Sequence, residues 1–353
     1  MKRTNCVINL GNLRYNVDQI KKHTGKKIIA VVKADAYGHG AINVVKALEG
    51  KVEYFAVACF EEASELRKNG VLGSILILGH TESNKFNEAA SKNITITIHD
   101  LSQLQNISLN KRLKVHLKVD TGMNRIGLSN IDDINKAISL IEDNSNLYLE
   151  GIFTHYATAD CDEDFYLEQR ARFEFVIKSL DYEFEYIHSS NSAASINYGD
   201  DLTNTVRPGI IMYGISPNEI TDFSLKPVLS LYSNVIQLKE VLVGQRIGYG
   251  NCFIAKENML IATVSIGYGD GWLRRNSVVP VYINNNYYEI VGRICMDMLM
   301  VKVDVSVKLG DIVELIGPHI DTATVALKTE TISYEVLCAL GNRVERNYIE
   351  DEK

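Results

Sequence analysis

The chain has 353 residues, enough for one large α/β core with a smaller companion. It is 46% hydrophobic and 23% charged, with a formal net charge of -7 and basic neighbours only in pairs, which argues against a nucleic-acid surface. No apolar run is long enough to span a bilayer, and the opening MKRTNCVINLGNLRYN lacks the apolar core of a signal peptide, so no membrane contact is expected.

The 6 cysteines show no CxxC pair and the 8 histidines no HxxxH or HxH spacing. A reducing, cytoplasmic setting without a metal is the expectation.

In chain order, the first informative stretch is Lys27 to Gly40, KIIAVVKADAYGHG. Ile28 to Val32 are apolar and mostly β-branched, as suits a strand buried on both faces of a parallel sheet. Lys33 follows at once, either snorkelling outward or serving as an amine. The small and polar residues 34–40 predict a loop, and Ala41 to Leu48 an amphipathic helix.

The pattern then repeats. Strands are predicted at Tyr54 to Ala58, Ile75 to Leu78, Ile94 to Ile98, Leu113 to Val119, Leu147 to Phe153, Tyr186 to His188 and Thr205 to Arg207. Between them come helical patterns at Glu61 to Lys68, Glu82 to Ser91, from Leu101, Ile131 to Glu142, Asp164 to Leu180 and near Ala193. Eight strand-helix units fit an N-terminal (β/α)8 barrel over residues 1–225.

From Lys226 the texture changes to short alternating runs, at Val228 to Leu238, Leu260 to Ile266, Val278 to Ile283, Ile290 to Val291, Met298 to Val303 and Ile312 to Ile316. These are punctuated by turns such as Asn284 to Asn286, and they predict a mainly antiparallel β domain over 226–353. A last helix is expected at Ile332 to Leu340, stopped by Gly341.

A barrel places its chemistry at the carboxyl ends of its strands. Those ends carry Lys33, Asp120 to Arg125, His155, Ser189 to Ser192 and Arg207 to Gly209. The TVRPG segment, Thr205 to Gly209, offers backbone amides for an anion beside the Ser192 hydroxyl. A lysine, an anion cradle and an arginine facing one cavity suggest pyridoxal phosphate. Lys118 either turns outward, is neutral, or carries a modification such as a carbamate, since a second cation beside Arg125 is unfavourable. In the second domain, GYGDGW (Gly267 to Trp272) resembles a glycine-rich phosphate loop, but no helix with a lysine follows. Tyr249 between two glycines and Tyr268 are the tyrosines that stand out.

These segments together resemble the alanine racemase family. AVVKADAYGHG (30–40), LKVDTGMNRIG (117–127), FTHYATAD (153–160), NSAAS (191–195), VRPGIIMYG (206–214), IGYGDGW (266–272), GRICMD (292–297) and TISYEV (331–336) follow in the family's order. The resemblance implies that Lys33 carries pyridoxal phosphate and acts as one base, with Tyr249 of a partner subunit as the other, in a head-to-tail homodimer that shares its sites. It places Tyr37, Ser192, Gly209, Ile210 and Tyr334 on the phosphate and Arg207 at the ring nitrogen, with His155 supporting Arg207. Arg125 would bond the cofactor's phenolic oxygen and help receive the substrate carboxylate, with the Met296 amide opposite; Lys118 would be the carbamylated lysine, and Tyr268 and Asp297 would line the entrance. The implied reaction interconverts L- and D-alanine, the D form supplying cell-wall peptidoglycan.

Asp35 stands where many members have asparagine, and Glu345 where many have proline. A related group, the racemase domains of vancomycin-resistance proteins, includes members that act on serine; Tyr334, bulky beside the substrate side chain, argues against it here. A decarboxylase of the same architecture should carry an acid where Arg207 stands. A non-catalytic carrier of the cofactor would not need Tyr249.

Overall fold

The computed structural model describes residues 4–199, 201–217 and 223–350. The chain forms two compact units, one of Arg14–Ala36 and Ala41–Leu225, the other of Met1–Leu13, Tyr37–Gly40 and Lys226–Lys353.

A first strand, β1 (Asn5–Asn9), belongs to the second of these units. The other unit is an eight-stranded closed barrel. Its strands are β2 (Lys27–Val31), β3 (Tyr54–Val57), β4 (Ser74–Ile77) and β5 (Ile94–Ile98), then β6 (Leu113–Lys118), β7 (Leu147–Phe153), β8 (Tyr186–His188) and β9 (Thr205–Val206). Every pairing is parallel, and β9 closes on β2 through Lys27 opposite Thr205 and Ile28 opposite Val206. The predicted (β/α)8 barrel is therefore the observed one. β2, β3 and β4 read as nearly continuous apolar runs because helices cover them outside while their side chains fill the interior. All of β3 and β5 is buried, Thr95 and Thr97 included.

Helix limits follow local caps. Ile131–Glu142 starts where Asn130 accepts the Asp133 amide at 2.8 Å, and it buries Ile134, Ala137, Ile138 and Ile141 at helical spacing. Glu163–Ser179 starts under Asp162, whose carboxylate accepts the Phe165 amide at 3.2 Å. The helix predicted at 82–91 divides into a 3-10 turn, Ser83–Lys85, and a helix, Phe86–Ser91; the stretch from Leu101 is a 3-10 turn, Leu101–Leu104.

The second unit contains β10 (Leu229–Val241), β11 (Arg246–Ile247), β12 (Phe253–Ile254), β13 (Met259–Val264), β14 (Val281–Ile283), β15 (Asn286–Tyr288), β16 (Leu299–Val303), β17 (Ile312–Ile316) and β18 (Glu345–Ile349). The long β10 is its spine, antiparallel to β1, β13 and β17, while β18 runs parallel to β1. The mainly antiparallel sheet agrees with the sequence reading. Asn284 and Asn285 turn the β14–β15 hairpin at φ 48 and 67, values that asparagine tolerates and a primed turn requires. Ile290 makes only an isolated bridge to Val301 rather than the predicted strand.

Candidate active site

Lys33 follows β2 after Val32 and is half-buried. The predicted loop behind it is instead one turn of left-handed helix, with Ala34, Asp35, Ala36 and Tyr37 all at φ 53 to 54. Each non-glycine residue there is disfavoured by about 1 to 2 kcal/mol, so surrounding contacts must hold the turn. Two carboxylates do so. Glu62 accepts the amides of Ala34 and Ala58, both at 2.7 Å, and Asp35 accepts the amide of Ala41 at 2.7 Å.

Arg207, just beyond β9, is 3% exposed. Its Nη1 donates to His188 Nδ1 at 2.8 Å, and its Nη2 lies 2.7 Å from the Thr154 carbonyl, 2.9 Å from that of Ser189 and 3.3 Å from His155 Nδ1. Burial lowers Arg207 to about 9, still protonated at neutral pH. Burial and then the Arg207 charge hold His155 and His188 well below the ordinary imidazole range, so both stay neutral and accept from the guanidinium.

Lys118 ends β6, 4% exposed, and its Nζ donates to the Val119 carbonyl at 3.1 Å. Desolvation and the nearby Arg207 bring it down to about 7, and the more distant Arg125 adds to the effect. It does not turn outward. Arg125 is itself exposed, with its amide bonded to Asp120 Oδ2 at 3.2 Å.

Ser192 opens the turn Ser192–Asn197, and its hydroxyl accepts the Gly209 amide at 2.9 Å; Ile210 then begins a fully buried 3-10 turn. The Val31 amide donates to the Pro208 carbonyl at 3.0 Å, tying this segment to the strand that leads to Lys33.

Among the described residues, the buried Ser189 hydroxyl in this barrel mouth has no hydrogen-bond partner and Arg207 Nε makes no hydrogen bond. Spare donors, a cation and an amine suit an anionic group bearing an acceptor nitrogen and a carbonyl. That is the donor set pyridoxal phosphate needs.

The other named residues lie in the second unit. The rings of Tyr37 and Tyr334 stand 5.8 Å apart, and burial raises the buried Tyr37 phenol further above its ordinary range. Tyr249, between Gly248 at φ 74 and Gly250 at φ 72, is 70% exposed. Met296 and Tyr268 are also exposed, and Asp297 pairs with Arg343 at 2.6 Å.

GYGDGW is a packing loop rather than a phosphate cradle. The amides of Tyr268 and Gly269 donate to the carbonyls of Cys295 and Met296 at 3.0 and 2.8 Å. A Cβ at Gly267 would lie 2.3 Å from the Cys295 carbonyl, and one at Gly271, where φ is +103, 2.1 Å from that of Ala339.

Residues 8–217 match the alanine racemase N-terminal domain and residues 228–348 the C-terminal domain. The chain belongs to the alanine racemase family. It is 41% identical to the alanine racemase of Streptococcus mutans over 360 residues, covering 98% of this chain and 96% of that one. The solved alanine racemase of Clostridium difficile superposes with a TM-score of 0.94 at 38% identity, covering 99% of this chain and 97% of the other. That of E. faecalis gives 0.95 at 36% identity, covering 99% and 98%.

For this family member, sequence reasoning missed three buried groups that touch one another behind Arg207: His188, His116 and Glu150. The available signal was a charged or imidazole side chain inside an otherwise apolar strand, as in LKVHLK and LYLEGIF.

Proposed function

We propose that this chain racemises alanine with pyridoxal phosphate, as a homodimer in which each barrel mouth receives Tyr249 from the other copy. The observation that carries the reading is Arg207, a buried cation held by neutral imidazoles and carbonyls at the strand ends where Lys33 also emerges. A guanidinium only donates, so a ring nitrogen facing it stays unprotonated. An acid there would protonate the ring and favour the wider chemistry of a decarboxylase.

The bound cofactor supplies an electron sink that acidifies the substrate Cα–H. Lys33 anchors it and moves a proton on one face of Cα, while Tyr249 moves one on the other. Ser192, Gly209, Ile210, Tyr37 and Tyr334 hold the phosphate. Arg125 and the Met296 amide receive the carboxylate, and Tyr268 and Asp297 border the entrance. All 6 cysteines are free thiols, which supports a cytoplasmic setting, where D-alanine would enter peptidoglycan synthesis.

Incubation with L-alanine in deuterated water tests this. Loss of optical activity with α-deuterium incorporation is expected; release of carbon dioxide, or neither change, would overturn it. Faster turnover of L-serine would instead favour the serine-type racemases.

Lys118 is well suited to carbamylation, being buried and brought down to about 7, so that a large share of it carries the free lone pair at neutral pH. Its Nζ lone pair adds to the carbon of carbon dioxide and a proton leaves to water, turning a cation beside Arg207 into an anion. A carbamate signal from 13C-bicarbonate that Lys118→Ala abolishes supports the assignment, and a variant that keeps the signal removes it.

A further inference from the structure

One buried acid has no part in that scheme. Glu150 on β7 is 1% exposed. It sits where the β6–β7 register slips, Val115 facing Leu149 and His116 facing Gly151, so Glu150 is the extra residue of a bulge. The next position has no side chain, and a Cβ at Gly151 would come within 2.8 Å of the His116 ring. Bulge and glycine together bring His116 Nε2 to 3.2 Å from Glu150 Oε2. His116 Nδ1 is 2.8 Å from His188 Nε2, and His188 Nδ1 is 2.8 Å from Arg207 Nη1.

The two ends of this chain dictate its protons. Arg207 can only donate, so His188 Nδ1 accepts and its proton lies on Nε2. That proton goes to His116 Nδ1, which puts the second imidazole's proton on Nε2, facing an acceptor. Glu150 supplies one. Its carboxylate also accepts from Tyr54 and Lys114; against burial, the bonds from His116, Lys114 and Tyr54 hold it down at about 2, fully ionised. Burial keeps His116 neutral.

We propose that Glu150 is the counter-charge of Arg207, acting through His188 and His116 in a single tautomer, and is thereby a positioning residue for racemisation. A buried guanidinium with no carboxylate in contact is costly, and two aligned neutral imidazoles ending on an anion offset that cost. The functional half rests on the reading that Arg207 faces the cofactor; the tautomers do not.

Holoenzyme labelled with 15N-histidine provides the test, through long-range 1H–15N spectra at neutral pH, with His116→Gln and His188→Gln used to assign the signals. Both imidazoles are expected neutral with Nε2–H; an Nδ1–H form or an imidazolium at either overturns the proposal, whatever the activity. Glu150→Gln keeps the shape and removes the charge. In it His116 should become a tautomer mixture, with kcat for alanine down about tenfold and KM within about twofold. Unshifted histidine signals or an unchanged kcat would overturn the positioning role. If that variant fails to fold, the wild-type spectrum still decides the tautomers. Correct tautomers in a protein that does not racemise alanine would uphold the chain of bonds and sink the functional reading.

Discussion

Arg207 and Tyr249 are assigned to the same reaction, yet they are held in opposite ways. Arg207 is 3% exposed and fixed by partners at the ends of two neighbouring barrel strands, β7 and β8, whereas Tyr249 is 70% exposed on a glycine-flanked turn of the second unit. A preorganised site does not leave its proton carrier in solvent. Under the proposed homodimer this contrast has a simple reading: one copy of the chain would build the cofactor end of the site, and the exposed tyrosine would complete the site of the other copy.

The strongest way to break this comparison is to remove each base separately and then mix the variants. Lys33→Ala loses the cofactor anchor and one proton carrier together, so racemisation should fall by more than about 10^4-fold, with loss of the bound cofactor's visible absorbance. Tyr249→Phe should keep that absorbance and lose about 10^2- to 10^4-fold. Mixed and allowed to exchange subunits, the two inactive variants form heterodimers with one intact site, restoring about a quarter of wild-type activity at statistical mixing. No recovery, with exchange verified by native mass spectrometry, would show that Lys33 and Tyr249 serve the same copy.

A smaller effect sharpens the barrel side. His116, His155 and His188 all have lowered values in the folded state, against 6.5 for an ordinary histidine. As pH falls through 6.5 the unfolded chain takes up protons that the folded barrel refuses, so stability falls with it. Lys118 acts higher: folded at about 7 against 10.5, it binds less proton than the unfolded chain between those values, so stability there rises with pH. Urea midpoints should therefore decline from pH 7.5 to 5.5. A level profile would mean that the buried imidazoles protonate in the folded protein, contrary to their hydrogen bonds.

How much of this could be read from residues alone differs by cause. Barrel strands such as β2, β3 and β4 were legible because burial on both faces leaves nearly continuous apolar runs, and Lys33, His155 and Arg207 were legible because they sit where predicted strands end. β1 and β18 were not: β18, ERNYI, has no apolar run and is only half-buried, and its pairing with β1 spans nearly the whole sequence. Nor was the left-handed turn, since alanine and tyrosine have no preference for it; Glu62, far along the chain, holds it in place. Glu150 stayed hidden for a similar reason, because a one-residue slip in β-pairing decides where its side chain points.

The turn also explains the departure at position 35. Asp35 sits at φ 53, a conformation that aspartate and asparagine tolerate better than most residues, and its carboxylate accepts the Ala41 amide at 2.7 Å. An asparagine carbonyl makes the same bond, so Asp35→Asn should change stability by less than about 0.5 kcal/mol and leave racemisation intact. Asp35→Ala loses both the acceptor and the tolerance for the turn, at about 1 to 2 kcal/mol. Thermal unfolding of the two variants measures the difference. Because the turn begins at Lys33, the alanine variant should also lower kcat while Tyr249 stays untouched. An equal loss in both variants would mean that the carboxylate charge, and not the bond to Ala41, holds the lysine end of the site.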